Sequence, residues 1–418
     1  MLLSSLLGAC TISGALGASW IAPGAVWYDT DGNKIDAHGG GVVQRGDTFY
    51  WVGHGVSNQT PMMYSSTDLV NWKNLGQQAS SVSGMWRPKI AKPNGSFWLF
   101  GQQDRYSLSL KSSQFIGGYT KSAKVYIPPN SYSYSDTGMF HDDATDTWYL
   151  LTSADHNIVQ INRINADGTL GNEVSDLRAG AYEAPGLVKA NGVYFLIVSG
   201  KTGWRANPNK VFWSNSISGP WTGGSDIAPQ AQNTYGSQNT FELTIQGTQS
   251  TTYIYMGDAW DSKGGASSNY VWLPMNINSG SKTVQLDYHS MWKVDVKTGA
   301  ISYPSTLKRY EANHSVLSDR TVSNQPNEVT FHNVTGTGSL QWLAFHYKVN
   351  NPEAGEVYIV VNNEPAVNIS SLNSRAGYHE STPVQLTLKA GDGNTITLGS
   401  LGEDGFETVV DAIELFED

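Results

Sequence analysis

The stretch Tyr182-Glu183-Ala-Pro-Gly186 sets a single carboxyl between a tyrosine ring and an Ala-Pro step, where water solvates it poorly. A carboxyl taken out of water resists ionisation, so its pKa climbs and it can hand a proton to a leaving group near neutral pH. A glutamate ahead of a strand is also an ordinary surface residue, and the surroundings must decide between the two. Asp142 and Asp143 stand in a short polar stretch and read as the solvated acids of a hairpin turn. Thiol chemistry is excluded from the mature chain, because the one cysteine, Cys10, lies in an N-terminal stretch expected to be removed.

Positioning such a group requires regular elements, and the sequence repeats them. Five segments run from a turn into an aromatic-rich apolar strand and stop at a small or polar residue. They are Gly46-Asp-Thr-Phe-Tyr-Trp-Val-Gly53, Asn94-Gly-Ser-Phe-Trp-Leu-Phe-Gly101, Thr145-Asp-Thr-Trp-Tyr-Leu-Leu-Thr152, Asn191-Gly-Val-Tyr-Phe-Leu-Ile-Val198 and Ser250-Thr-Thr-Tyr-Ile-Tyr-Met-Gly257. Their spacing of roughly 45 to 60 residues is the length of one four-stranded blade. A five-bladed β-propeller is expected, each aromatic run being the inner strand that faces a shared central channel, with Glu183 just ahead of the fourth. The pattern stops near Tyr303 to Leu307. Beyond it, strand-like runs at Leu343–Tyr347, Val357–Val361, Val384–Leu388 and Asn394–Leu398 alternate with turn residues and suggest a β-sandwich. The expected division is a signal peptide at 1–18, a propeller at 19–305 and a sandwich at 306–418, an all-β chain throughout.

Bulk composition agrees with that division and narrows the partners. At 418 residues two domains are the natural expectation. Charged residues are 15% against about 25% in an average domain, while rings make up 11%, a mixture that suits tight turns and stacking on sugars. The net charge of −10, without a run of Lys or Arg, argues against nucleic acid and anionic membrane as partners. The apolar start from Met1 to Ala18 ends in small residues and reads as a secretory signal, and no later stretch is apolar for the roughly 18 residues a membrane span needs. Sequons at Asn58, Asn94, Asn313, Asn333 and Asn368 fit a secreted glycoprotein, expected to be a soluble monomer.

Several motifs together resemble the blade motifs of glycoside hydrolase family 43: Tyr-Glu183-Ala-Pro-Gly, Ser135-Asp136-Thr-Gly-Met-Phe-His-Asp-Asp143, Arg87-Pro-Lys-Ile and Tyr270-Val-Trp-Leu-Pro274. Thr30-Asp-Gly-Asn-Lys-Ile-Asp-Ala-His38-Gly-Gly and Tyr235-Gly-Ser-Gln238-Asn-Thr-Phe-Glu242 are similar to its fungal exo-β-1,3-galactanase branch. The resemblance spans about residues 20 to 303. It implies an exo-acting, inverting hydrolase of β-1,3-galactan and arabinogalactan main chains, with no cofactor for catalysis. Glu183 is then the general acid and Asp136 the group that orients it. Gln238 stands at the attacking water, either as a base through its imidic tautomer or only as a hydrogen-bonding holder. Gly39 falls where other members carry an aspartate base.

The candidate substrate contacts are Trp86, Arg87, Tyr106, Asn157, Thr202 and His54, and the branch usually has glutamates at the places of Trp86 and His54. Residues from Tyr310-Glu311 through Asp411 resemble carbohydrate-binding module family 35. That likeness implies a structural calcium at Glu311 and Asp411 and sugar contacts at Tyr378, Asp404 and Phe406. An arabinan- or xylan-directed enzyme and a non-catalytic galactan-binding protein are the competing readings.

Overall fold

A computed structural model of the chain describes residues 20–93, 95–125, 132–155, 157–261, 264–265, 268–318, 328–349, 355–364, 367–372, 379–400 and 407–417. The signal-like stretch, Asn94, Tyr378, Asp404 and Phe406 lie outside them. The fold is all-β, and the chain divides into two compact units, Trp20–Ser302 and Tyr303–Asp418, the second described only in part. Among the described residues no helix is long and apolar enough to cross a membrane.

In the first unit, five four-stranded antiparallel sheets follow one another, each a meander of consecutive strands. Their first strands are His38–Arg45, Trp86–Ala91, Tyr134–Asp142, Tyr182–Ala190 and Gln238–Gln246. Each first strand packs against the next and the fifth against the first, so the five make a closed ring. The aromatic runs are not the ring strands that the repeat pattern predicted. They form the second strands, Thr48–His54, Phe97–Gln103, Thr147–Ala154, Val193–Gly200 and Thr251–Ala259. The reason is burial: a second strand is covered on both faces and reads as a continuous apolar run, whereas a ring strand turns one face to a polar centre and carries Gly, Lys and Asp there.

Between successive sheets lie five apolar clusters: Val52 with Leu99, Phe100 with Leu150, Leu151 with Leu196, Phe195 with Val271, and Trp51 with Trp272. The last closes the ring between sheets five and one, which share no strand. It holds Trp51, Trp72, Trp272 and Trp292, with Trp51 4.8 Å from Trp272 and 5.3 Å from Trp72 by ring centroid. Each buried indole contributes about 4 to 6 kcal/mol before entropy is charged against it. Ile21, ahead of the first sheet, adds a two-hydrogen-bond bridge to Trp292, 2.8 and 3.0 Å.

The second unit holds two four-stranded antiparallel sheets. One has the order Thr306–Ser318, Glu407–Phe416, Leu340–Val349, His379–Thr387, and the other Glu328–Gly336, Gly391–Ser400, Gly355–Val361, Val367–Leu372. A single apolar cluster draws Leu343, Phe345 and Ile413 from the first and Phe331, Ile359 and Leu398 from the second.

Candidate active site

All five ring strands lose register with their second strands near their first residues. The breaks fall between His38 and Gly41, Trp86 and Lys89, Tyr134 and Thr137, Glu183 and Gly186, and Asn239 and Phe241. Such bulges bend a strand and re-aim its side chains. Arg87 and Ala184 sit in them with φ of 50°, and each is followed by a proline, which has no N–H to leave unpaired. The five breaks therefore gather at one end of the ring the residues that the sequence singled out.

There Glu183, Asp136 and Gln238 meet through Arg87. The Arg87 Nε is 3.0 Å from an Asp136 oxygen, one guanidinium nitrogen donates to Gln238 Oε1, and the other donates to the Asn239 carbonyl at 3.1 Å. The other Asp136 oxygen accepts the Ala184 N–H at 3.0 Å, so the bulge next to Glu183 is tied to Asp136. Gln238 donates to Glu183 Oε1 at 3.0 Å and to Ser199 Oγ at 3.1 Å, and its Oε1 also accepts the Trp260 indole N–H at 2.9 Å. Both amide protons and both carbonyl lone pairs of Gln238 are thus engaged, which fixes its orientation with the nitrogen toward Glu183. Burial, then the Asp136 carboxylate, push the Glu183 carboxyl up to about 7 against the opposing pull of Arg87 and Lys201. A proton held at that pKa is available for transfer near neutral pH.

Position 39 cannot hold a carboxylate base. Gly39 has φ of 59°, and a Cβ there would lie 2.7 Å from Arg87 Cγ and 3.1 Å from His54 Cε1. Its N–H donates at 2.7 Å to Asp258, which also takes Thr240 Oγ1 at 2.8 Å and His38 Nδ1 at 2.9 Å. Burial pushes the Asp258 carboxyl up, but the bond and charge of His38, the charge of Arg87 and the Gly39 N–H outweigh it and hold the group below its ordinary range. Gly39→Asp is therefore expected to supply no base and to cost about 1 to 3 kcal/mol in stability. A lowered melting temperature without gain in turnover is the expected outcome, and a faster variant would contradict it.

Beneath the site the ring is filled by buried polar side chains. Lys89 reaches the Gly39 carbonyl, and burial drives its ammonium well below the usual lysine range. Burial pushes the Glu242 carboxyl up to about 8 against the opposing pull of Asn239, Lys89 and the Leu187 backbone, which favours its protonated form. Its carboxyl occupies the space a Cβ at Gly186 would need, 2.0 Å away, which explains the glycine that ends the Glu-Ala-Pro-Gly run.

The remaining candidates are placed as follows. Trp86 and His54 flank Arg87, the His54 Nδ1 accepting the Arg87 N–H at 3.3 Å. Tyr106 donates to Asp104 at 3.1 Å and Thr202 to the Arg205 carbonyl at 2.5 Å, while Asn157 is exposed in a turn, so these three stand outside the hydrogen-bonded group. Asp142 does not behave as a solvated turn residue. It is buried and held by Lys189 at 2.9 Å and Tyr194 at 2.7 Å, because its strand end is covered by the fourth sheet. Glu311 and Asp411 lie on paired strands, Glu311 exposed and 2.8 Å from Arg309. Among the described residues no group of three His, Cys, Asp or Glu is placed to hold a metal.

Sequence reasoning missed Ser199, Trp260 and Asp258. For Ser199 and Asp258 the polar stop after each aromatic run was the signal, since Ser199 pairs with Glu183 and Asp258 with Gln238 across the first two strands, as His54 does with His38.

Residues 35–290 match the family described as "Glycosyl hydrolases family 43". The chain is 32% identical to an exo-β-1,3-galactanase from Phanerochaete chrysosporium solved with galactose, with a TM-score of 0.82 over 95% of this chain and 100% of that one. A variant of that enzyme with β-1,3-galactotriose gives 32% and 0.83 over 95% and 99%. An exo-β-1,3-galactanase from Clostridium thermocellum shares the fold at 24% identity, with a TM-score of 0.63 over 94% and 99%. No curated protein matches the chain.

Proposed function

The chain belongs to the family 43 glycosyl hydrolases, and on that footing we propose that it is a secreted exo-β-1,3-galactanase that cleaves galactose from β-1,3-galactan and arabinogalactan main chains with inversion. The observation that carries the reading is the hydrogen-bonded group in which a raised carboxyl, Glu183, faces the amide of Gln238, with Asp136 and Arg87 behind them. The relatives solved with galactose and β-1,3-galactotriose support the substrate class.

In this reading Glu183 protonates the leaving glycosidic oxygen. Asp136, holding the Ala184 N–H, fixes the turn that aims Glu183 and raises its pKa by its charge. Gln238 positions the water that attacks from the opposite face, which requires its 3.0 Å bond to Glu183 to open so that the sugar can lie between them. Its oxygen already accepts from Arg87 and Trp260 and its two N–H groups are engaged by Glu183 and Ser199, so a water must displace one of these partners. Inversion follows because neither an amide nor Gly39 can form the covalent glycosyl ester that retention requires.

The five sheets closed on one another support a five-bladed propeller as the catalytic domain, and the two sheets after Ser302 support a sandwich that acts as a carbohydrate-binding module. A structural calcium at Glu311 and Asp411 belongs to the same reading, and binding it requires Glu311 to exchange Arg309 for the ion. Secretion behind a cleaved signal at 1–18, glycosylation and a monomeric state complete the proposal.

Galactose release from β-1,3-galactan, measured beside arabinan and xylan, tests the substrate. Release from galactan alone is expected, and release from arabinan or xylan instead would replace the reading. The same assay carries a pH dependence. The acid works only while protonated, so with Glu183 near 7 the value of kcat/KM is expected to fall about tenfold per pH unit above that point. An alkaline limb centred near the ordinary carboxylate range would remove Glu183 from the role.

A further inference from the structure

The two sheets of the second unit leave four edge strands, Thr306–Ser318 and His379–Thr387 in one sheet and Glu328–Gly336 and Val367–Leu372 in the other. Three of the four carry a sequon. Asn313-His-Ser315 lies on Thr306–Ser318, Asn333-Val-Thr335 on Glu328–Gly336 and Asn368-Ile-Ser370 on Val367–Leu372. The fourth, His379–Thr387, carries Pro383, whose nitrogen has no hydrogen to offer a pairing strand. Among the described strands of this unit, none of the inner ones, Leu340–Val349, Gly355–Val361, Gly391–Ser400 and Glu407–Phe416, holds a sequon or a proline.

An edge strand offers unpaired N–H and C=O groups to any other strand, and proteins blunt such edges with bulges, prolines and covering groups. The local backbone here follows that logic. Asn313 falls in the break of register between Glu311 and Ser315, and Asn333 in the break between Phe331 and Val334. Asn333 is exposed and has φ of 57°, a conformation asparagine adopts more readily than most residues. Two residues on, the Thr335 N–H donates to the Tyr310 hydroxyl at 2.7 Å, so a side chain from the other sheet caps this edge beside the asparagine. Asn368 is the register partner of Tyr358, which stands between the core residues Val357 and Ile359 and so belongs to the outer face.

We propose that Asn313, Asn333 and Asn368 carry N-linked oligosaccharides that close three edges of the second unit to strand pairing, as Pro383 closes the fourth. The inference rests on the secretory reading, which supplies the modifying machinery. In each transfer the asparagine Nδ2 bonds to C1 of an oligosaccharide carried on a lipid pyrophosphate. The C1–O bond breaks, the pyrophosphate keeps the electron pair, and the amide gives up one proton. A pairing strand must approach to about 4.8 Å, a gap too narrow for an oligosaccharide rooted on the edge. The excluded partner is a second copy of this chain, pairing edge to edge.

The test uses the full chain secreted from a eukaryotic host. Mass spectrometry after peptide N-glycosidase in heavy-oxygen water, which marks each glycosylated asparagine as a heavy aspartate, is expected to find Asn313, Asn333 and Asn368 occupied. Removing the glycans from the folded protein is expected to turn a monomer into assemblies that grow with concentration in sedimentation, while circular dichroism keeps its β signature. The triple variant Asn313→Gln, Asn333→Gln, Asn368→Gln is expected to assemble likewise, and enzymatic removal gives the same readout where that variant does not fold. No occupied sequon anywhere overturns the secretory reading together with the proposal. Occupied Asn58 or Asn94 with the three edge asparagines bare overturns the proposal alone. A folded protein stripped of its glycans that stays monomeric at every concentration overturns the shielding role.

Discussion

Glu183→Gln is expected to reduce turnover of β-1,3-galactotriose by about 10²- to 10⁴-fold, the typical worth of a general acid, while fold and binding persist. The fold persists because a glutamine retains the oxygen that accepts the Gln238 N–H at 3.0 Å, and the site loses no charged partner. What it loses is the proton that burial and Asp136 hold on Glu183 up to about pH 7. The alkaline limb of the pH profile should disappear from whatever rate remains. A variant with wild-type turnover and an intact profile would assign the acid to another residue.

The second large effect concerns Arg87, which ties three ring strands together at their bulges. Arg87→Met removes the cation from a pair in which Arg87 is 4% and Asp136 17% exposed, and strands the Asp136 charge. Breaking a buried pair from one side costs about 3 to 5 kcal/mol. A melting temperature lower by on the order of 10 °C is expected. Backbone strain does not enter, since arginine and methionine meet the same penalty at φ of 50°. The electrostatic consequence has a definite sign. Arg87 pulls the Glu183 pKa down, so its removal lets that pKa rise and moves the alkaline limb of activity to higher pH. A limb displaced toward acid, or a melting temperature unchanged, would contradict this account of the pair.

How far the site was legible depended on the range of the interactions that make it. Glu183 announced itself locally, by a tyrosine before it and Ala-Pro after it, while its raised pKa comes from burial in the assembled site and from Asp136. Asp136, Arg87 and Gln238 were named through motif resemblance, and the structure brings them together with Glu183 across four different sheets. Ser199 and Trp260 were missed because their importance exists only in pairing: one faces Glu183 across a strand ladder, and the other donates to Gln238 from the end of the second strand of the same sheet.

The aromatic runs gave the number and spacing of the sheets but not their direction. Their rings fill the clusters between sheets, while the ring strands carry His38-Gly-Gly, Arg87-Pro-Lys and Glu183-Ala-Pro-Gly, which look unlike strands because bulges interrupt them. Asp142 misled for a similar reason. Its acid pair looks like a turn, yet Lys189 and Tyr194 cover it from two strands of the fourth sheet, 47 and 52 residues on. Tyr378, Asp404 and Phe406 lie outside the described residues.

The central claim, that Glu183 and a water held by Gln238 remove galactose with inversion, meets its most direct test in proton NMR of β-1,3-galactotriose during the first minutes of reaction, before mutarotation mixes the anomers. The account predicts that α-galactose appears first with the wild-type protein and that neither anomer appears at that time with Glu183→Gln. Initial release of β-galactose would contradict inversion and point to a carboxylate nucleophile, Asp136 before any other, while no release from the wild type would contradict hydrolysis itself.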